Sequence, residues 1–387
     1  MRKCLGAALV ALLVPMLAHA EESTDAFGFQ KFFKTADGSY SWNSQHWANG
    51  NARSLANWAS DTQDPTQWTD NRSSDAGGFY VDGQGTMQML GSGPRFHING
   101  QQDGAPNKQK FKNVEYTGYF KRDTLGGQDY GGMVVGVRSG ALGHGSSGGN
   151  NCDAHTYYAR FRNDGKWDFE KEWKHPGSYY RSGSGVGHQD PLWGGNVLPV
   201  DKWIGMKYIV YNKDDATVHL EVYIDSTSGA TPPGKWELVG SADDSGTDWS
   251  GASYGAATID GCSYTDAKAA ILQAGDAIVM RSDNDHPYYK YVTIREIDPA
   301  SPISSSSATE SSSGGLPESS SSATESSSSG LPGSSSSAAS VPGSSSGTAA
   351  IAPWKGRPSV EGVPVRHFDL LGRPAKKDAP QRIFQSR

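Results

Sequence analysis

Eight runs of this chain alternate apolar with polar residues or are dense in β-branched and aromatic ones, and helical periodicity is almost absent. They are NVEYTGYFKR (113–122), GGMVVGVRSG (131–140), HTYYARFR (155–162), WDFEKEW (167–173), WIGMKYIVYN (203–212), VHLEVYID (218–225), AIVMRSD (277–283) and YKYVTIREID (289–298). Such text sends successive side chains to opposite faces of a strand. Turn signals separate the runs: DGQG (82–85), NDGK (163–166), NKDD (212–215) and PPGK (232–235). Many strands and few helices predict an all-β fold of two packed antiparallel sheets.

The ends read differently. Residues 1–20 carry Arg2 and Lys3, an apolar run from Leu5 to Leu17 and an Ala18-His19-Ala20 cleavage signal. This predicts a secretory signal peptide removed after Ala20, the alternative being an uncleaved anchor. No later segment is apolar enough to span a membrane. Cys4 precedes the apolar run, which leaves Cys152 and Cys262 in the mature chain. In an oxidising compartment they are expected to form one disulfide, against the alternative of two buried thiols. The net charge of −6 argues against nucleic-acid binding. Residues 299–353 are rich in Ser, Gly and Pro, and the unit SSSSATESSS occurs twice. Such text cannot bury enough apolar area to offset chain entropy, so it reads as a flexible linker. Residues 354–387 form a basic tail, which leaves 21–298 as the folded domain.

Two resemblances refine this. DKWIGMKYIVYN followed by VHLEVYID resembles the back-sheet hairpin of the concanavalin A-like lectin/glucanase superfamily, and YKYVTIREID resembles its closing strand. YYARFRNDGKWDFEKEWKHP and NVEYTGYFKR resemble a little-characterised secreted branch of it. The likeness covers most of 75–298 and implies a concanavalin A-like jelly-roll sandwich, an architecture that hosts lectins, hydrolases and lyases alike. In the tail, VPVRHFDLLGRPAKK resembles C-terminal sorting domains of secreted bacterial proteins, which implies export or attachment through secretion machinery.

The chemistry concentrates in KWDFEKEWKH (166–175), where Asp168, Glu170 and Glu172 alternate between aromatics. Asp164-Gly165 between two alternating runs is a hairpin signal. A two-residue turn would pair Phe161 with Asp168 and Ala159 with Glu170, putting the acids opposite Tyr157 and away from Arg160 and Arg162. A bulged turn would move the pairing by one. Carboxyls at i and i+2 can approach the roughly 5–5.5 Å used by retaining glycosidases, one as nucleophile and one as proton donor. The superfamily's laminarinase branch places Glu-x-Asp-x-Glu on one strand; here the spacing matches and the residue types do not. The expectation is therefore glycoside hydrolysis by two of these three acids in an open groove, Glu170 and Glu172 first, with Asp168 as the third. The plainer alternative is solvated or ion-paired acids on a strand.

A second chemistry is β-elimination, which needs a base near the C5 proton of a uronate and cations to neutralise its carboxylate. Arg138, His144, His175, Tyr157, Arg160 and Lys171 are candidates, although the alginate-lyase sequence patterns are missing. The third is binding alone. Tyr179, Tyr180 and Trp193 are expected in glycine-rich loops, where aromatics can stack on sugar rings. Tyr157, Arg138, His144, His175, Tyr179, Tyr180 and Trp193 are the expected substrate contacts, and the expected ligand is a plant or algal polysaccharide. No cofactor is implied beyond structural calcium at DNDHP (283–287) or SADDSGTDW (241–249), where solvated acidic turns are the plainer reading.

Overall fold

The computed structural model describes residues 23–71, 78–125, 127–140, 155–174, 177–181, 192, 197–247, 249–250 and 269–303. Among these, the chain forms two antiparallel sheets, with strands numbered β1–β18 in chain order. The ten-stranded sheet runs β15 (Glu237–Asp244), β14 (Val218–Asp225), β13 (Ile204–Asn212), β8 (Val114–Lys121), β18 (Tyr288–Pro302), β6 (Thr86–Leu90), β5 (Gly78–Val81), β3 (Arg53–Leu55). Two short strands, β1 (Phe33–Thr35) and β2 (Ser41–Asn43), also pair with β18. The eight-stranded sheet runs β16 (Trp249–Ser250), β12 (Gly177–Arg181), β11 (Trp167–Lys174), β10 (Thr156–Arg162), β9 (Gly132–Ser139), β17 (Ala277–Arg281), β7 (Arg95–Asn99), β4 (Thr69–Asn71). This is the jelly-roll sandwich that the resemblance implies.

Alternation explains how the sheets close on one another. Along β10 and β11, Tyr157, Ala159, Phe161, Trp167, Phe169 and Trp173 enter the core. The partner sheet answers with Met206, Tyr208 and Val210 from β13, and the Phe169 and Tyr208 rings stack with centroids 6.0 Å apart. Aromatics of this size bury enough area to hold two twisted sheets together. The ten-stranded sheet has a second, smaller core on its other side. There Phe29, ahead of β1, packs on Tyr119, Trp236 and Tyr291.

Candidate functional site on the outer face of the eight-stranded sheet

The turn before β11 sets the site. Arg162 N–H donates to Lys166 O at 2.8 Å and Gly165 N–H to Arg162 O at 2.9 Å, so the loop is three residues long. Gly165 sits at φ +80°, which suits glycine in a bulged hairpin. The two-residue register is thereby corrected. Arg160 lies opposite Asp168, Tyr158 opposite Glu170 and Thr156 opposite Glu172. Residues directly opposite share a face, so the arginines stand on the acids' side of the sheet and Tyr157, Ala159 and Phe161 turn inward.

The open groove expected for the acids is also corrected. Asp168, Glu170 and Glu172 face away from the core yet are only 0, 2 and 1% exposed. Arg160 grips Asp168 with two bonds, Nε at 2.5 Å and Nη2 at 2.7 Å, and its Nη1 lies 2.7 Å from Glu170. Arg162 reaches Asp168 at 3.3 Å while holding Asp164. Burial disfavours the Arg160 charge, but Asp168 and Glu170 outweigh it and hold the guanidinium above its ordinary range. A nucleophile–acid pair needs one carboxyl that carries a proton. Here Asp168 and Glu170 are joint counter-ions of one guanidinium instead.

Beside this clamp lies a group that the sequence reading did not select. The register aligns His97 (β7), Val279 (β17), Gly136 (β9), Tyr158 (β10) and Glu170 (β11) in one row across the sheet. The next row holds Arg95, Arg281, Val134, Arg160 and Asp168. A Cβ on Gly136 would stand 2.6 Å from Tyr158 Cε1. The missing side chain therefore lets the phenol ring lie across β9 towards β17. Arg281 stands 5.5 Å from that ring's centre, and Arg281 and Arg95 share Asp283 at 2.8 and 3.1 Å. Burial raises the Tyr158 hydroxyl well above its usual range, with Glu172 and Glu170 adding to the shift and the two arginines opposing it. The Tyr158 hydroxyl is thus a neutral proton donor. His97 is buried, with Nδ1 4.0 Å from Asp70. The signal for this group was RFHIN (95–99), whose polar positions alternate with core Phe96 and Ile98.

Other expected contacts lie elsewhere. Tyr157 points into the core, where its hydroxyl bonds to Asp244 alongside the buried ammonium of Lys171. Arg138 is buried and donates to the carbonyls of Lys112 and Ile271, both at 2.6 Å, and burial lowers it to about 10. Both are structural in this arrangement, which corrects their reading as substrate contacts. Tyr179 and Tyr180 lie on strand β12, where their backbones pair with Lys171 and Glu170 on β11, which corrects their reading as loop residues. His144, His175, Trp193, Cys152 and Cys262 lie outside the described residues. At the two calcium candidates, protein donors hold the carboxylates. Arg95 and Arg281 take Asp283, Asn163 and Gly132 N–H take Asp285, and Lys171 and Trp249 take Asp244. Among the described residues no cluster is arranged to hold a metal ion.

No protein-family profile and no curated protein matches the chain. Among solved structures it is similar to a marine PL-14 alginate lyase from Aplysia kurodai, at 10% identity and TM-score 0.32, over 64% of this chain and 99% of that one. It is similar to arcelin-5, a lectin-like defence protein from Phaseolus vulgaris, at 8% identity and TM-score 0.33, over 64% and 97%. The metal-free exoplasmic/lumenal domain of VIP36 is similar at 11% identity and TM-score 0.32, over 68% and 98%.

Proposed function

We propose that this is a secreted, polysaccharide-active protein that cleaves a uronate-containing chain by β-elimination on the outer face of the eight-stranded sheet. The supporting observation is the placement of Tyr158, a phenol kept neutral by burial, laid across Gly136 beside two arginines that share one carboxylate. Tyr158 and His97 are as deeply buried as the β11 carboxylates, so what sets them apart from that clamp is a protonated phenol, not openness to solvent. In this reading Arg281 and Arg95 pair with the uronate carboxylate and stabilise the charge that spreads into it. His97 takes the C5 proton, and Asp70 at 4.0 Å stabilises the imidazolium. The electron pair left at C5 forms the C4=C5 double bond as the C4–O bond breaks. Tyr158 gives its proton to the departing oxygen, and no water is consumed. The leader at 1–20, the linker at 299–353 and the tail at 354–387 fit export and display of such a domain.

The test is incubation of the full chain with uronate-rich and neutral polysaccharides. Elimination gives unsaturated ends that absorb in the ultraviolet, and Tyr158→Phe is expected to slow their release by about 10²–10⁴-fold. New reducing ends without unsaturation would overturn this in favour of hydrolysis, and Glu172→Gln would then be the informative variant. Retention without cleavage would mark a binding module.

A further inference from the structure

The ten-stranded sheet carries a second polar row, on its own outer face and remote from Tyr158. Trp203 stands next to Ile204, which pairs with Phe120, so the indole sits beside Lys121. Lys121 pairs with Tyr288, Tyr288 with Gln88, and Gln88 with Tyr80. The intervening Phe120, Tyr289, Met87, Phe79 and Val81 all point into the core, so this row faces outward. All five members are at least partly exposed, and Tyr80 is 41% exposed.

Its charge is unusual. Lys121 Nζ lies 5.5 Å from the Trp203 ring centre and 5.0 Å from that of Tyr288, and Lys290 Nζ lies 4.2 Å from Trp203. Two ammonium groups thus share one indole, and the carboxylate at the row, Asp123, accepts from the Tyr288 hydroxyl at 3.0 Å and forms no ion pair with either lysine. Burial and the neighbouring Lys121 together lower Lys290. Two like charges this close favour an anion brought between them. The aromatic members recur every second strand, a step of about 10 Å at about 4.8 Å per strand. That is roughly the advance of two sugar units in an extended chain, and Tyr80 is the ring of the row most open to a pyranose.

We infer that the row Trp203–Lys121–Tyr288–Gln88–Tyr80, with Lys290, is a second, non-catalytic site that holds an anionic polysaccharide laid across the strands. The aromatics stack on sugar faces, and the two lysines pair with carboxylate or sulfate groups. The basic row and its aromatic spacing suit an external acidic glycan, whereas the chain's own basic tail does not match this charge.

Affinity electrophoresis of the full chain through gels holding a carboxylated, a sulfated or a neutral polysaccharide tests this without any need for cleavage. Ultraviolet assay of the same proteins on short uronate oligosaccharides reports the Tyr158 face separately. The charged gels are expected to retard the protein, and the two arms show which anion is preferred. Lys121→Gln with Lys290→Gln is expected to weaken retardation about tenfold, while arginine at both positions preserves it. Tyr80→Ala is expected to weaken it several-fold with the preference for charged gels intact. The proposal is overturned if the double glutamine variant is retarded like the parent. It is also overturned if the neutral gel retards as strongly, or if Tyr80→Ala has no effect, which would mark plain polyanion attraction.

Discussion

Arg160 is the residue on which the outer face of the eight-stranded sheet is organised. Its side chain is almost fully buried, and it neutralises Asp168 by two bonds and Glu170 by a third contact. Desolvating these ions costs several kcal/mol each, and only mutual pairing offsets it. Arg160→Gln would remove the shortest ion pairs of two buried carboxylates, leaving Asp168 with Arg162 at 3.3 Å and Glu170 with Arg281 at 3.7 Å. The expected loss is about 3–5 kcal/mol, read as a lower urea midpoint. Replacing Arg160, Asp168 and Glu170 together by apolar residues of similar volume is expected to cost much less, because no ion is then left alone. Gly136 is a residue-scale test of the other kind. A methyl group there meets the Tyr158 ring at 2.6 Å, and that ring has no open space to enter. Gly136→Ala should cost about 1–3 kcal/mol of stability. It should also remove most of the proposed elimination activity, as Tyr158→Phe is expected to, because the phenol no longer crosses β9. A variant with normal turnover would separate Tyr158 from the chemistry.

At the scale of the element, one turn decided what the sequence could reveal. The longer core strands were legible where period-two text is explicit, as in VHLEVYID, which forms β14 over Val218–Asp225, whereas β1–β7, β12, β15 and β16 lay outside the eight runs. The β10–β11 hairpin was legible as well, from Asp164-Gly165. Its register was not, because Asp-Gly fits both a two-residue turn and a three-residue turn with glycine in the left-handed region. The one-residue difference carried Arg160 and Tyr158 onto the acids' side and turned an apparent row of free carboxylates into a clamp. His97 escaped selection for another reason: its partners in the row come from strands distant in sequence, and only sheet order brings them together. The β14–β15 pair offers a pH test. His219 lies between Glu221 and Asp243, at 2.8 and 2.5 Å. Burial opposes its charge, yet these bonds prevail and raise it above its usual value. A histidine raised in the folded state binds its proton more tightly there than when unfolded. Its stabilisation is therefore complete below about pH 6.5 and is lost as pH rises through the folded value. Urea midpoints of the parent should exceed those of His219→Gln near about pH 6 and converge with them in alkali. A constant gap at all pH values would assign the effect to packing.

For the molecule as a whole, the segment entering β1 seals the ten-stranded sheet. Glu115 is buried on β8 between Lys207 at 2.8 Å and Arg295 at 2.7 Å, and the backbone N–H groups of Phe32 and Phe33 complete its shell. Phe29 is fully buried on Tyr119 and Trp236, and Phe32 meets the edge of Tyr223. These contacts hold the segment on the sheet by apolar area and exclude water from an ion triad that would otherwise be solvated. Two changes probe the two roles. Phe29→Ala removes area alone and is expected to cost about 3–5 kcal/mol. A chain beginning at Asp37 removes both area and shell, and should unfold at a still lower urea midpoint. Because Tyr158 belongs to the opposite sheet, the folded fraction of Phe29→Ala is expected to keep its turnover per folded molecule. Turnover that falls further than the folded fraction would show that the two sheets do not hold their sites independently.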